Sequence, residues 1–154
     1  MKKIIILIFI FSFVSHCGFT PLYSNYSEVN FSINSIKTEG DKELNNFLKS
    51  NLAKFENNES SNQFTIELNT NYMKNILSKN KAAKTTNFKL TADAKFKIFL
   101  NGEKIKELTI SETNVMDKND DNFKETKNEK IIKKSFASSI ANKLITEISI
   151  LNDN

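Results

Sequence analysis

The chain has 154 residues, with 22 Lys and Arg, 18 Asp and Glu, one cysteine and one histidine. This length allows one domain with a proper core and not two, and a single cysteine excludes a disulfide within the chain. All 22 Lys and Arg residues are lysines, and the missing guanidinium fork argues against a protein that reads nucleic-acid bases.

The N-terminus has the pattern of a secretory signal. Lys2 and Lys3 precede an apolar run from Ile4 to Val14, interrupted by Ser12. The run is too short to span a bilayer as a helix, which needs about 20 residues. It predicts a lipoprotein signal peptide over residues 1–16 and export to the periplasm.

The run ends at Cys17, where Val14-Ser15-His16-Cys17 occupies the place of a lipobox, with His16 where a small residue is usual. We favour lipidation of Cys17 over the alternative of a buried thiol. Because each buried acyl CH2 contributes roughly 0.8 kcal/mol, the attached lipid would hold the mature chain on a membrane. Gly18 follows instead of Asp, which by resemblance to Gram-negative sorting favours the outer membrane.

Residues 17–27 are predicted to be a lipidated leader. Pro21 favours an extended conformation at Thr20. The leader's apolar side chains could then pack on the domain itself or on a partner; with Pro21 they are Phe19, Leu22 and Tyr23.

A single domain is predicted over residues 28–154. Apolar and polar residues alternate from Val29 to Ile33, as in a half-buried strand. Gly40 and Asp41 then end the strand and cap a helix predicted over 42–56. A polar loop over 57–62 leads to a long second strand.

The third strand, Phe88 to Leu100, has the strictest alternation. Its apolar residues face one side and its lysines the other. After Asn101-Gly102 the chain turns into a fourth strand. A two-residue loop would leave Leu108 and Ile110 on the lysine face, so we predict a three-residue loop of Leu100, Asn101 and Gly102. This loop would pair Ala94 with Leu108, and Ala92 with Ile110.

The last helix is predicted to begin at Thr126-Lys127-Asn128-Glu129, which has capping-box spacing, and to end near Leu151. Its apolar residues recur every four positions. The preceding Asp117, Asp120 and Asp121 lack the glycine and glutamate of a calcium loop, so we interpret them as a solvated loop.

The order is β-α-β-β-β-α. A sheet with one apolar face and two amphipathic helices predicts an α+β fold, a two-layer sandwich of a four-stranded sheet with both helices on one face.

The leader carries a family resemblance. Cys17-Gly18-Phe19-Thr20-Pro21-Leu22-Tyr23 resembles the opening of the mature LPS-assembly lipoproteins, the LptE family, particularly in alphaproteobacteria. The family pattern is Cys-Gly-Phe-x-Pro-Leu-Tyr-Gly, and this chain departs from it only at Ser24. The resemblance implies the fold predicted above. It also implies a protein that partners the LptD β-barrel, as plug and assembly factor, and assists lipopolysaccharide insertion into the outer leaflet.

The expected location is therefore the outer membrane, lipid-anchored and facing the periplasm. An auxiliary lipoprotein of a lipid-transport ABC system is the alternative, and a lipid-anchored hydrolase is a third. We expect that the protein is not an enzyme. The one histidine is removed with the signal peptide, and Ser-His or Cys-His nucleophiles and His-ligated zinc sites all require a histidine. We likewise expect no cofactor and no catalytic or metal site.

The lysine face of the third strand is the predicted binding surface. From Lys74 to Lys106 there are nine lysines and two acids, which suggests an anionic partner. Lys89, Lys95 and Lys97 are the residues expected to meet lipid A phosphates or acidic groups of the barrel. The alternative is an ordinary solvated sheet face. Lys74, Lys79, Lys81 and Lys84 are expected to extend the same charge.

Replacing Cys17 by Ala should abolish acylation and release the protein from membranes, because no other thiol can accept the lipid. Intact-mass analysis and membrane fractionation measure both effects. The matched control, His16→Gly, supplies the usual small residue and should still yield an acylated chain beginning at Cys17. An unsubstituted chain that carries no acyl group would contradict the assignment.

Overall fold

The computed structural model describes residues 31–56, 60 and 62–152. The predicted signal peptide and leader, including Cys17, lie outside the described residues. The elements are strands β1 (Phe31–Gly40), β2 (Asn62–Lys79), β3 (Thr85–Leu100) and β4 (Glu103–Asp117), and helices α1 (Lys42–Leu52) and α2 (Asn122–Asn152).

The predicted architecture is confirmed. The four strands form one sheet in the order β1-β2-β3-β4. Strand β1 runs parallel to β2, and the other neighbours are antiparallel. Both helices cover the apolar face of this sheet and contact each other. The opposite face, called here the outer face, carries the polar residues of the strands.

Strand β1 and helix α1 follow the predicted pattern with shifted ends. The register shifts between Ile33 and Ser35. This bulge interrupts the two-residue alternation, so the later part of the strand was not recognised from the sequence. Asp41 caps α1 as predicted, because its Oδ1 accepts a hydrogen bond from the Leu44 backbone N at 2.7 Å. The helix ends at Leu52, and a 3-10 turn continues to Phe55.

The predicted loop between β3 and β4 is wrong. Asn101 and Gly102 form a two-residue turn with φ of 53° and 87°, as an Asn-Gly hairpin favours. The register then shifts between Ile98 and Phe99. This irregularity inserts one extra residue into β4, which keeps Leu108 and Ile110 on the apolar side. The observed pairs are therefore Phe96 with Leu108, Ala94 with Ile110 and Ala92 with Glu112.

Helix α2 begins earlier than predicted. Asp121 caps it, because its Oδ1 accepts hydrogen bonds from the backbone N of Phe123 and Lys124. The Thr126 hydroxyl donates instead to the Asn122 carbonyl. Capping-box spacing was misleading because Glu129 is engaged with strand β2, as described below.

The core is aliphatic and rich in phenylalanine. Phe31 meets Phe64 edge to face with 5.7 Å between ring centroids and stacks on Phe55 at 6.1 Å. Along β3 the apolar residues from Leu90 to Ile98 are fully buried. The predicted apolar face of β3 is therefore correct over that range.

A buried polar cluster joins α1, β2 and α2. Lys133, only 8% exposed, lies with its Nζ 3.5 Å from Asp41 and 3.2 Å from Glu43. The same Nζ lies 4.0 Å from the centre of the Tyr72 ring. Burial, followed by the hydrogen bond to Glu129, raises the pKa of the Tyr72 hydroxyl. The cluster fixes the N-terminus of α1 against the middle of α2.

Gly40 lies where two backbone segments approach each other closely. Its φ is +93°, and a Cβ there would lie 1.8 Å from the Thr70 carbonyl oxygen. That carbonyl accepts the Asp41 backbone N–H at 3.2 Å. The turn from β1 into α1 thus depends on glycine.

Gly40→Ala should lower the free energy of unfolding by more than about 2 kcal/mol, because left-handed strain and a backbone clash act together. Urea unfolding followed by circular dichroism measures this loss. Gly102→Ala is the matched control. Its φ is +87° but nothing lies within 4 Å, so it should lose only about 1 kcal/mol. Equal losses would contradict the clash at Gly40.

Candidate functional site

The three predicted binding lysines share the outer face of β3. Lys89, Lys95 and Lys97 are all exposed there. Their side chains point away from the helices, because the alternate residues of β3 fill the core. Periodicity therefore placed them correctly. The leader residues Phe19, Pro21, Leu22 and Tyr23 lie outside the described residues.

Two of these lysines have acidic partners on neighbouring strands. Lys95 Nζ lies 2.8 Å from Glu107 Oε1, and Lys97 Nζ lies 3.9 Å from Glu67 Oε2. The sheet register explains the second contact, since Lys97 stands directly between Glu67 and Glu107. Hydrogen bonds from Lys95 and Lys104 lower the pKa of the Glu107 carboxyl. The centre of the outer face is therefore close to electrically balanced.

Lys89 has different neighbours. It stands between Asn75 on β2 and Val115 on β4. Within the part of the chain that the structure describes, Lys89 makes no ion pair. Its charge is available to a ligand without displacing an acid.

Lys74 does not extend the charge of the outer face, contrary to the sequence prediction. It lies on the helix side of the sheet, 2.9 Å from Glu125 and 2.8 Å from Glu129. Its Nζ also lies 4.4 Å from the centre of the Phe88 ring. The sequence could have shown this, because side chains two residues apart in a strand lie on the same face and Lys74 follows the inward-facing Tyr72 by two.

A second basic cluster lies where β2 turns into β3. Residues 80–84 form a hydrogen-bonded turn in which Asn80 Oδ1 accepts from the backbone N of Ala82 and Lys84. Lys79, Lys81 and Lys84 are exposed. Among the described residues none of the three lysines has an acid within ion-pair distance. We call this turn, together with Lys79 and Lys89, the basic hairpin end.

Apolar side chains accompany these charges. Ile76 is 54% exposed and Leu77 51% exposed, and both directly precede the turn. Val115, also 51% exposed, lies beside Lys89. Unpaired cations beside exposed apolar groups suit an amphiphile that carries anionic groups and hydrocarbon.

The basic hairpin end is remote from the point where the chain enters the sheet. Phe31 begins β1 opposite Asn62, and β1 is parallel to β2. The turn lies at the other end of the 18-residue strand β2. At roughly 3.3 Å per residue, the two ends of this strand are more than about 50 Å apart. Phe31 and the basic hairpin end therefore lie at opposite ends of the sheet.

An ion-pair network supports the basic hairpin end from the helix side. Glu125 joins two cations, with Oε1 2.9 Å from Lys74 Nζ and Oε2 2.6 Å from Lys118 Nζ. Hydrogen bonds from Lys118 and Lys74 lower the pKa of Glu125 to about 2. The network ties the first turn of α2 to the outer part of β2. The backbone N of Lys118 donates to the Thr86 carbonyl, so the loop before α2 begins at the same end of the sheet as the hairpin.

Metal sites and membrane-spanning helices were also sought among the described residues. Over residues 31–56 and 62–152 no group of three or more His, Cys, Asp or Glu side chains could hold a metal ion. Neither α1 nor α2, the helices of the described region, is long and apolar enough to cross a membrane.

The fold is shared with solved bacterial lipoproteins. Rare lipoprotein B from Shewanella oneidensis matches with a TM-score of 0.59 and 13% identity, over 79% of this chain and 98% of that one. A minor lipoprotein from Acinetobacter baumannii matches with a TM-score of 0.56 and 16% identity, over 77% of this chain and 92% of that one. Lipoprotein B from Nitrosomonas europaea matches with a TM-score of 0.57 and 13% identity, over 81% of this chain and 88% of that one. No protein-family model and no curated protein matches the sequence.

Glu125→Gln should lower the free energy of unfolding at pH 7 by roughly 1–3 kcal/mol, because two charge-assisted hydrogen bonds are lost. The folded-state pKa of about 2 lies below the ordinary 4.5. The carboxylate's contribution is therefore complete above pH 4.5 and disappears as the pH falls towards 2.

Unfolding in urea at several pH values tests this, with Glu103→Gln as the control for an exposed acid outside the network. A stability difference between Glu125→Gln and the unsubstituted chain that stays constant from pH 5 to pH 2 would disprove the network.

Proposed function

We propose that this protein is an outer-membrane lipoprotein that partners an LptD-type β-barrel and assists the insertion of lipopolysaccharide into the outer leaflet. Two independent features support the proposal. The fold is one found in solved lipoproteins, and residues 17–23 resemble the opening of the mature LptE family. The observation that carries it furthest is the unpaired, partly apolar basic hairpin end.

Each part of the chain has a role in this proposal. Cys17 carries the lipid anchor on the periplasmic side of the outer membrane. Phe19, Pro21, Leu22 and Tyr23 position the domain against the barrel. Phe31 and the basic hairpin end lie at opposite ends of the sheet, and the basic hairpin end would meet the anionic ligand.

The lysines differ in how readily they would bind phosphate groups. Lys79, Lys81, Lys84 and Lys89 would bind without breaking an ion pair to any described residue. Lys95 and Lys97 would first have to leave Glu107 and Glu67. Because exchanging one exposed ion pair for another gains little, we expect the hairpin lysines to contribute more than Lys95 and Lys97.

The triple substitution of Lys79, Lys81 and Lys84 by Glu should weaken lipopolysaccharide binding by about tenfold or more at low salt, and less at high salt, because the attraction is screened. Binding of purified lipopolysaccharide to the full chain is measured in detergent at two salt concentrations. Dephosphorylated lipid A should bind the unsubstituted and substituted chains equally.

The matched control replaces Lys42, Lys49 and Lys127 by Glu, which changes the net charge equally on exposed helix positions. A parallel Lys95→Glu, Lys97→Glu variant tests the expected order. If both triple variants bind alike, the hairpin assignment is wrong. Recovery of inner-membrane transporter subunits with a tagged chain, in place of an outer-membrane barrel, would favour the lipid-transport ABC alternative.

A further inference from the structure

Strand β4 is an open edge of the described sheet. Its residues pair with β3 on one side only. The backbone N of Lys118 donates to the Thr86 carbonyl, so the even-numbered residues of β4 hydrogen-bond to β3. The N–H and C=O groups of Glu107, Thr109 and Ser111 consequently point out of the sheet, where a further strand could bind.

The side chains of β4 that face α2 follow a self-complementary order. From the N-terminal end they are Lys106, Leu108, Ile110 and Glu112, that is, a cation, two apolar groups and an anion. A copy of this row in the antiparallel direction reads anion, apolar, apolar, cation. Two copies would therefore place opposite charges, and apolar groups, against each other.

The flank of α2 beside this edge is compatible with a second copy. Glu147 contacts Lys106, and Lys143 Nζ lies 2.6 Å from Glu112 Oε1. Next to these pairs α2 presents the short side chains of Ser139 and Asn142. They border an open groove along the helix, and the α2 side chains that reach the edge, Lys143 and Glu147, do so as ion-pair partners of Glu112 and Lys106.

We propose that a second copy of this chain binds the β4 edge, with the two β4 strands antiparallel and Thr109 opposite Thr109 of the other copy. Lys106 then faces Glu112 of the other copy, and Leu108 faces Ile110, each twice about the two-fold axis. The outward N–H and C=O groups at Thr109 make the hydrogen-bonded pair, which leaves the charged and apolar pairs at the closer non-hydrogen-bonded positions.

Complementarity selects this register. Sliding the strands by two residues in either direction places a charged side chain opposite an apolar one, either Glu112 opposite Leu108 or Lys106 opposite Ile110. Sliding by one residue mismatches the hydrogen-bonding groups. The extra residue of β4 near Ile105 ends the regular edge on one side. The inference is independent of the proposed function, and confinement to a membrane surface would raise the effective concentration of the copies.

The test exchanges charges between positions 106 and 112. Lys106→Glu and Glu112→Lys, each alone, set like charges opposite each other and should raise the dimer dissociation constant about tenfold or more. An equimolar mixture of the two single variants should form a heterodimer, because two acids of one then face two bases of the other. The chain carrying both substitutions should dimerise like the unsubstituted protein.

Sedimentation equilibrium of the full chain in detergent measures these constants, and circular dichroism checks that each variant folds. Thr109→Cys should give a disulfide-linked dimer under mild oxidation, whereas Thr65→Cys, on the interior strand β2, should not. The unsubstituted chain measures the background from any Cys17 that is not acylated. A monomeric unsubstituted chain, or single variants that dimerise normally, would overturn the proposal. So would cross-linking of position 109 to another protein.

Discussion

One buried face of β3 determines how the rest of the domain is arranged. Leu90, Ala92, Ala94, Phe96 and Ile98 are fully buried beneath the two helices, so β3 cannot rotate without exposing a run of apolar residues. This constraint fixes which side chains of β2 and β4 face α2 and which face outward. The burial of apolar area stabilises the sheet, and the distribution of charge follows from it.

Charge on the two sides of the sheet is handled differently. On the outer face, acids of β2 and β4 stand beside the β3 lysines and neutralise them at exposed positions, where such pairs contribute little stability. On the helix side, Lys74 and Lys133 are partly or largely buried and each has two carboxylate partners. Burial makes pairing necessary there. Structural need therefore accounts for the acids on the helix side, whereas the lysines of the basic hairpin end have no acid within ion-pair distance among the described residues.

The sequence predicted the element order, the layers and the apolar face of β3, because strict alternation identifies a half-buried strand. The ends of the elements and the β3–β4 register could not be predicted from the sequence. A single extra residue near Ile105 reverses which residues of β4 face the core, and an alternation pattern does not reveal such an insertion. Similarly, lysine periodicity located Lys95 and Lys97 on a face, but cross-strand neighbours depend on register. The ion pairs of these two lysines with Glu107 and Glu67 could therefore not be predicted. The inward position of Lys74 could have been, because Lys74 alternates with the apolar residues of β2.

The lysines of the hairpin turn are not explained by stability. Lys79, Lys81 and Lys84 lie close together in sequence around one tight turn, and like charges at such separations repel. Asparagine or serine would serve the turn equally well and without repulsion. The adjacent Ile76 and Leu77 are exposed at the same end, where burial gives them no role either. The unpaired lysines and these two exposed apolar side chains lie together at one end of the sheet, which agrees with the binding surface proposed above.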